Sequence, residues 1–161
     1  MEFAPIRDAI YNWFSDQSRV TTIWADGSGP RPGRPYATLK LLTGAVKIGG
    51  QDNLRNGPGP SQFTLVGPRR LTVSCNVYGV NAMEILTNVR DSLDDPFVID
   101  QLDADGLAVS DDGEPHDMTE ALETYFEPRA QMDVIFELQA DRMTEIGPVS
   151  KIQVNSIDVG I

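Results

Sequence analysis

The sequence predicts an α+β fold: a single domain over 1–161, with a mainly antiparallel sheet covered by two helices and a long β-hairpin or loop arm projecting from it. Three observations lead there. Apolar and polar residues alternate along 70–78 and again along 132–141, the period of a strand with one buried face. Two other stretches, 6–14 and 82–93, repeat apolar residues at helical spacing. Between 47 and 68 this patterning stops in a Gly/Pro-rich segment too long for a tight hairpin. A chain of 161 residues, 40% of them hydrophobic, is large enough for one core and too short for two comfortable ones.

Pro5 suits a first helical turn, and Ile6, Ile10, Trp13 and Phe14 then line one stripe of a helix ending near Asp16. A short β-branched and aromatic strand is expected at 20–24. Residues 26–35 hold three prolines and three glycines, which excludes regular structure. A strand resumes at 36–48 with Ala37, Leu39 and Leu41 on one face, and 49–60 breaks it. In 70–78, Leu71, Val73, Cys75 and Val77 share a face, so the single cysteine points into the core. Asn81 and Glu84 have the spacing of a helix-capping pair, and Ala82, Ile85, Leu86, Val89 and Leu93 trace the second helix. An acidic loop region follows at about 94–117, with a short strand near 106–110 and a helical turn after Asp117. The strand at 132–140 and a last strand at 149–159, its inward face switching near Ser156 as at a bulge, complete the order.

Charge divides along the chain. Residues 1–80 hold nine Lys/Arg and five Asp/Glu (9 − 5 = +4), residues 81–161 four and nineteen (4 − 19 = −15), which sum to −11. If these halves present on different flanks, copies can pack basic flank to acidic flank, a heterologous contact that closes a ring or runs on as a fibre. Three lysines in an acidic chain do not make the clustered basic face that grips phosphates, so no hold on nucleic acid is expected. The N-terminus lacks a basic region followed by an apolar run, and no stretch approaches the roughly 18 apolar residues of a membrane span, so neither secretion by that route nor membrane insertion is expected.

Catalytic and ligand-binding patterns are sparse. Cys75 reads as buried, no Gly-x-Ser-x-Gly turn exposes a serine, and neither nucleotide-binding glycine pattern occurs. His116 sits in an acidic loop and reads as exposed. Asp103, Asp105 and Gly106 match positions three, five and six of a calcium-binding loop, but Gln101 and Asp112 stand at positions one and twelve. No cofactor and no metal are expected, and the chain reads as a non-enzyme.

Three stretches together resemble a known family. TIWADGSGPRPGRPYATLKL (22–41), RLTVSCNVYG (70–79) with the 82–93 helix, and TYFEPRAQMDVIF (124–136) stand in the order found in bacteriophage neck terminator proteins, the tail-terminator or tail-completion class of contractile-tailed phages and related prophages. The resemblance covers nearly the whole chain and carries no catalytic residues. It implies a homo-oligomer, a ring usually of six, that caps the head-proximal end of the tail tube, stops polymerisation and meets the head connector. Its implied partners are the tail tube protein, possibly the sheath, and head-connector proteins, with genomic DNA passing through the lumen and no membrane. The implied location is the virion neck, with assembly in the host cytoplasm. The residues singled out as inter-subunit or partner contacts are Lys47, Arg55, Arg69, Arg31, Arg34, Glu127 and Arg129. Two alternatives stay open: a head-closure or connector ring, and a small acidic enzyme or metal-binding module.

Overall fold

A helix turns about 100° per residue, so Ile6, Ile10, Trp13 and Phe14 fall on one side of helix α1, Phe3–Ser18, in the computed structural model, and all four are buried. The structure describes residues 2–59, 61–121 and 126–145. Arg19, in the left-handed region at φ 55°, closes α1 by donating its N–H to Ser15 O. Strand β1 (Thr21–Trp24) then pairs parallel with β2 (Tyr36–Leu41). A parallel neighbour requires the chain to return to the same end of the sheet, which is the task of the Pro/Gly-rich connection at 25–35.

Two short strands, β3 (Val46–Lys47) and β4 (Asn53–Asn56), lie against the long β5 (Gln62–Tyr78). Helix α2 (Ala82–Asp91), a 3-10 turn at Ser92–Asp94 and helix α3 (Pro96–Ala104) lead into β6 (Leu107–Asp112) and β7 (His116–Asp117). A separate ladder of β8 (Glu120–Ala121) with β9 (Phe126–Glu127) precedes β10 (Arg129–Glu145). The main sheet runs β1-β2-β5-β10-β6, and β5 and β10 pair antiparallel along all 17 residues of each.

One face of this sheet carries Leu39, Leu71, Val73, Cys75, Val77, Met132, Val134 and Phe136, all buried beneath the three helices. Phe136 meets Trp13 edge to face, with ring centroids 5.8 Å apart, and Trp13 Nε1 donates to Ser92 Oγ at 3.2 Å. Burial of Cys75 pushes its thiol pKa far up, as expected for an inert core cysteine. The opposite face has no helix over it among the described residues and is polar: Thr72, Ser74, Asn76 and Tyr78 stand beside Arg129, Gln131 and Asp133.

The structure corrects several expectations. Three helices cover the sheet, not two, because Asp95 caps α3 by accepting the Phe97 N–H at 2.9 Å and Pro96 occupies its first turn. The 94–117 region is therefore α3, β6 and β7, and Gln101–Asp112 runs from helix into strand instead of wrapping a calcium ion. Asn81 does not cap α2 through its side chain; its backbone is left-handed at φ 62°. The 36–48 strand is interrupted at 42–45, and extended β8 stands where a helical turn was expected after Asp117. Strand β5 begins at Gln62, eight residues before the alternation at Arg70, so the arm is strand and not only loop. The strand expected at 149–159, with its bulge near Ser156, lies outside the described residues.

Candidate functional site

Beyond Leu71 on β5 and Phe136 on β10 the fully buried positions of the helix-covered face end, yet the two strands run on together to Gln62 and Glu145, with Phe3 of α1 lining a hollow beside Leu65, Arg69 and Ala140. With β4 alongside, this makes a three-stranded arm. At its base Asp52 receives both prongs of Arg69, Nη1 to Oδ1 at 2.9 Å and Nη2 to Oδ2 at 2.6 Å, with Lys47 Nζ 3.5 Å away. A Cβ on residue 67 would lie 2.0 Å from Asp52 Oδ1, so Gly67 leaves the room this clip needs. Arg55 on β4 is exposed, as are Val46, Leu54 and Met143.

The bond from Arg69 holds the Asp52 carboxyl below its ordinary range, and Arg70 with Ser110 does the same for Glu137. A carboxyl whose pKa is depressed on folding stabilises the fold above its unfolded value and loses that contribution as pH falls through the folded value. The clip is therefore expected to hold at neutral pH and open only below the usual carboxylate range. A carbon-detected NMR titration in which Asp52 inflects no lower than a free aspartate would contradict this.

A second cluster occupies the polar face near the start of β10. Tyr36 and Tyr78 stack 4.8 Å apart, and the Arg129 guanidinium lies 5.2 Å from the centroid of Tyr78. Arg129 Nε and Nη2 donate to Oδ1 of buried Asn76 at 3.3 and 2.9 Å. Arg34 pairs with Glu127, and Arg31 lines a hollow of about 110 Å³ with Tyr78, Met118, Glu127 and Arg129. Replacing Arg129 by Ala strips the Asn76 oxygen of its donor, and such an orphaned buried acceptor costs about 1–3 kcal/mol. Urea denaturation should show that loss with an unchanged slope.

The seven residues singled out thus fall into two groups: Lys47, Arg55 and Arg69 on the arm, and Arg31, Arg34, Glu127 and Arg129 at the other end of β5 and β10. The sequence did not show Asp52, Asn76 or Tyr78 as the groups that hold them, since each partner is supplied across a strand pair or loop. Nor do the two charge halves separate cleanly, because Arg70 on β5 pairs with Glu137 on β10. His116 is exposed, and no group of three His, Cys, Asp or Glu able to hold a metal occurs among the described residues.

A polar sheet face with charged clusters at both ends has the character of a surface for other proteins. The family model for phage neck terminator proteins matches residues 4–161. The chain belongs to that family. No curated protein matches the chain. As a neck terminator it is a structural protein of the phage neck, which places it at the virion tail and neck among other phage tail and neck proteins. In this neck terminator the two charged clusters and the arm are the candidate contact surfaces.

Proposed function

We propose that this neck terminator assembles into a ring, of six copies, that caps the head-proximal end of the tail tube, stops its polymerisation and offers the head connector a surface. The arm carries the reading. Nine further residue pairs at about 3.3 Å each run roughly 30 Å past Leu71 and Phe136, with Leu54 55% exposed and nothing among the described residues to bury it. Such an element suits the tube end or a neighbouring subunit. Lys47, Arg55 and Arg69 would act there, and Arg31, Arg34, Glu127 and Arg129 at the opposite end, without catalysis or cofactor. The acidic balance suits a lumen through which DNA moves unheld, assembly taking place in the host cytoplasm.

Negative-stain images of the purified chain should show rings with a central hole, and a monodisperse monomer would sink the proposal. Capture of the tail tube protein is expected; capture of connector proteins alone would make it a head-closure ring instead. Charge contributes to the contact, so raising salt to about 1 M, where the Debye length falls to about 3 Å, should lower the sedimenting mass. Rings equally stable at both salts would show that apolar surface closes them.

A further inference from the structure

We infer that the recess between the Pro/Gly-rich connection at 25–35 and the uncovered face of the sheet takes a carboxylate carried by an extended segment of a protein partner. This deepens the reading of that end of the sheet as a contact surface, and rests on it. The recess holds about 260 Å³. Three strands line it, because the register sets Ile23 beside Thr38 and Tyr36 beside Tyr78, on the face away from the helices. The connection adds Gly27, Gly29 and Arg31 to its wall. The smaller hollow of about 110 Å³ described above shares Arg31 and Tyr78 with it, so the two adjoin.

Unused hydrogen-bonding groups select the occupant. Tyr36 is 2% exposed and stacks on Tyr78, yet its hydroxyl has no partner among the described residues. That hydroxyl is not sealed in, since Arg90 Nε is the one enclosed side-chain atom without a hydrogen bond among those residues, so it opens on the recess that Tyr36 lines. A nearly buried hydroxyl left without a bond is unfavourable until something outside the chain takes it up. Thr38 and Tyr78 bring two more hydroxyls with no partner among the described residues, and Arg31 is exposed and makes no ion pair there. No residue lining this recess is acidic, although the chain carries a net charge of −11. Hydroxyls that can donate, gathered beside a guanidinium fork, are complementary to a planar anion.

The chain's own neighbouring acids are already engaged. Asp26 receives both prongs of Arg7, and Glu127 pairs with Arg34. In the adjoining hollow Arg129 adds a second cation, its Nη1 without a bond among the described residues. A nucleic acid is a poor fit for the same groups. A duplex presents its phosphates on a convex backbone to protruding cations, whereas this is a recess wide enough for a side chain and too narrow for a duplex, on a chain whose net charge repels it. A carboxylate on an extended peptide reaches Arg31 with its methylenes against Ile23.

The test is fluorescence anisotropy on the full chain at low salt, with a dye-labelled, amidated peptide carrying one glutamate between leucines, its glutamine counterpart, and that glutamine peptide with a free terminal carboxylate. Either carboxylate peptide should bind about tenfold more tightly than the neutral one, and the stronger of the two tells a side chain from a chain end. Arg31→Ala should weaken that binding about tenfold and Tyr36→Phe about threefold. The second variant keeps the stack on Tyr78 and should leave the melting curve unchanged, because the hydroxyl bonds nothing within the chain. Equal binding of charged and neutral peptides, unchanged affinity in both variants, or displacement of the peptide by a duplex oligonucleotide overturns the inference. So does a Tyr36→Phe chain that melts well below the intact one, since the hydroxyl would then be engaged already. Capture of connector and tail tube proteins separates the two claims. An Arg31→Ala chain that loses the peptide but captures both proteins as before removes this end of the sheet from the contacts; lost capture without any preference for a carboxylate keeps the contact surface and overturns the chemistry given to the recess.

Discussion

A chain lacking residues 50–60 melts within a few degrees of the intact protein and forms no rings. The deletion removes β4 and leaves β3 in register, since residues 61–67 can serve as the connection back to Pro68 and Arg69. Core burial on β5 starts at Leu71 for the helix-covered face, so the hydrophobic centre is untouched, and surface segments generally tolerate such shortening thermodynamically. What is lost is Asp52 with its clip on Arg69, Leu54, Arg55, the third strand of the arm and the pairing of 62–67 with β10. In infected cells the expected result is overlong tubes or tails that do not join heads. Normal virions assembled from the shortened chain would refute the role given to the arm. Protease protection of the 49–59 segment on ring formation, against rapid cleavage in the free subunit, would support it.

Replacing Phe136 by Ala has the largest expected effect on stability, about 3–5 kcal/mol, the range for emptying an aromatic site in a packed core. The ring is fully buried at the centre of β10, between the sheet and α1, and loses its edge-to-face contact with Trp13. Domains of this class hold about 5–15 kcal/mol in total, so about a fifth or more of the stability goes with one side chain. At about 2–4 °C per kcal/mol for this size, the melting temperature should fall by roughly 6–20 °C. A loss under about 1 kcal/mol would mean that α1 does not sit on this sheet as described. The comparison that isolates packing from burial is Phe136→Leu, which keeps most of the volume and should cost far less.

Residues that report on their own element were legible from the sequence. Leu71, Val73, Cys75 and Val77 could be placed on one buried face of β5, and Met132, Val134 and Phe136 on one face of β10, because a strand alternates sides every residue. The stripe Ile6, Ile10, Trp13 and Phe14 was readable for the corresponding helical reason. Arg31, Arg34, Glu127 and Arg129 were singled out separately, and nothing in their spacing showed that Tyr78 and Asn76 would gather them at one end of the sheet. The same limit hid the start of β5. Gly67 and Pro68 read as a break, and they are tolerated in a strand because β10 pairs along its full length and Asp52 needs the space at Gly67. In α3, Asp95-Pro96 is a start signal within a run of aspartates, and it needed the burial of Val98 and Leu102 to become a helix.

By itself, then, the sequence determined the order of the main elements, which residues of β5, β10, α1 and α2 face inward, the acidic balance and the family. Only the tertiary structure decided that β1 lies parallel to β2, that β5 and β10 pair for 17 residues, and that Asp52 closes on Arg69 and Arg129 on Asn76. The reason is range. Periodicity and capping act over a turn of helix or a few residues of strand, whereas pairing and ion contacts join residues from 15 to more than 90 apart in sequence, and their partners are fixed only when the sheet closes.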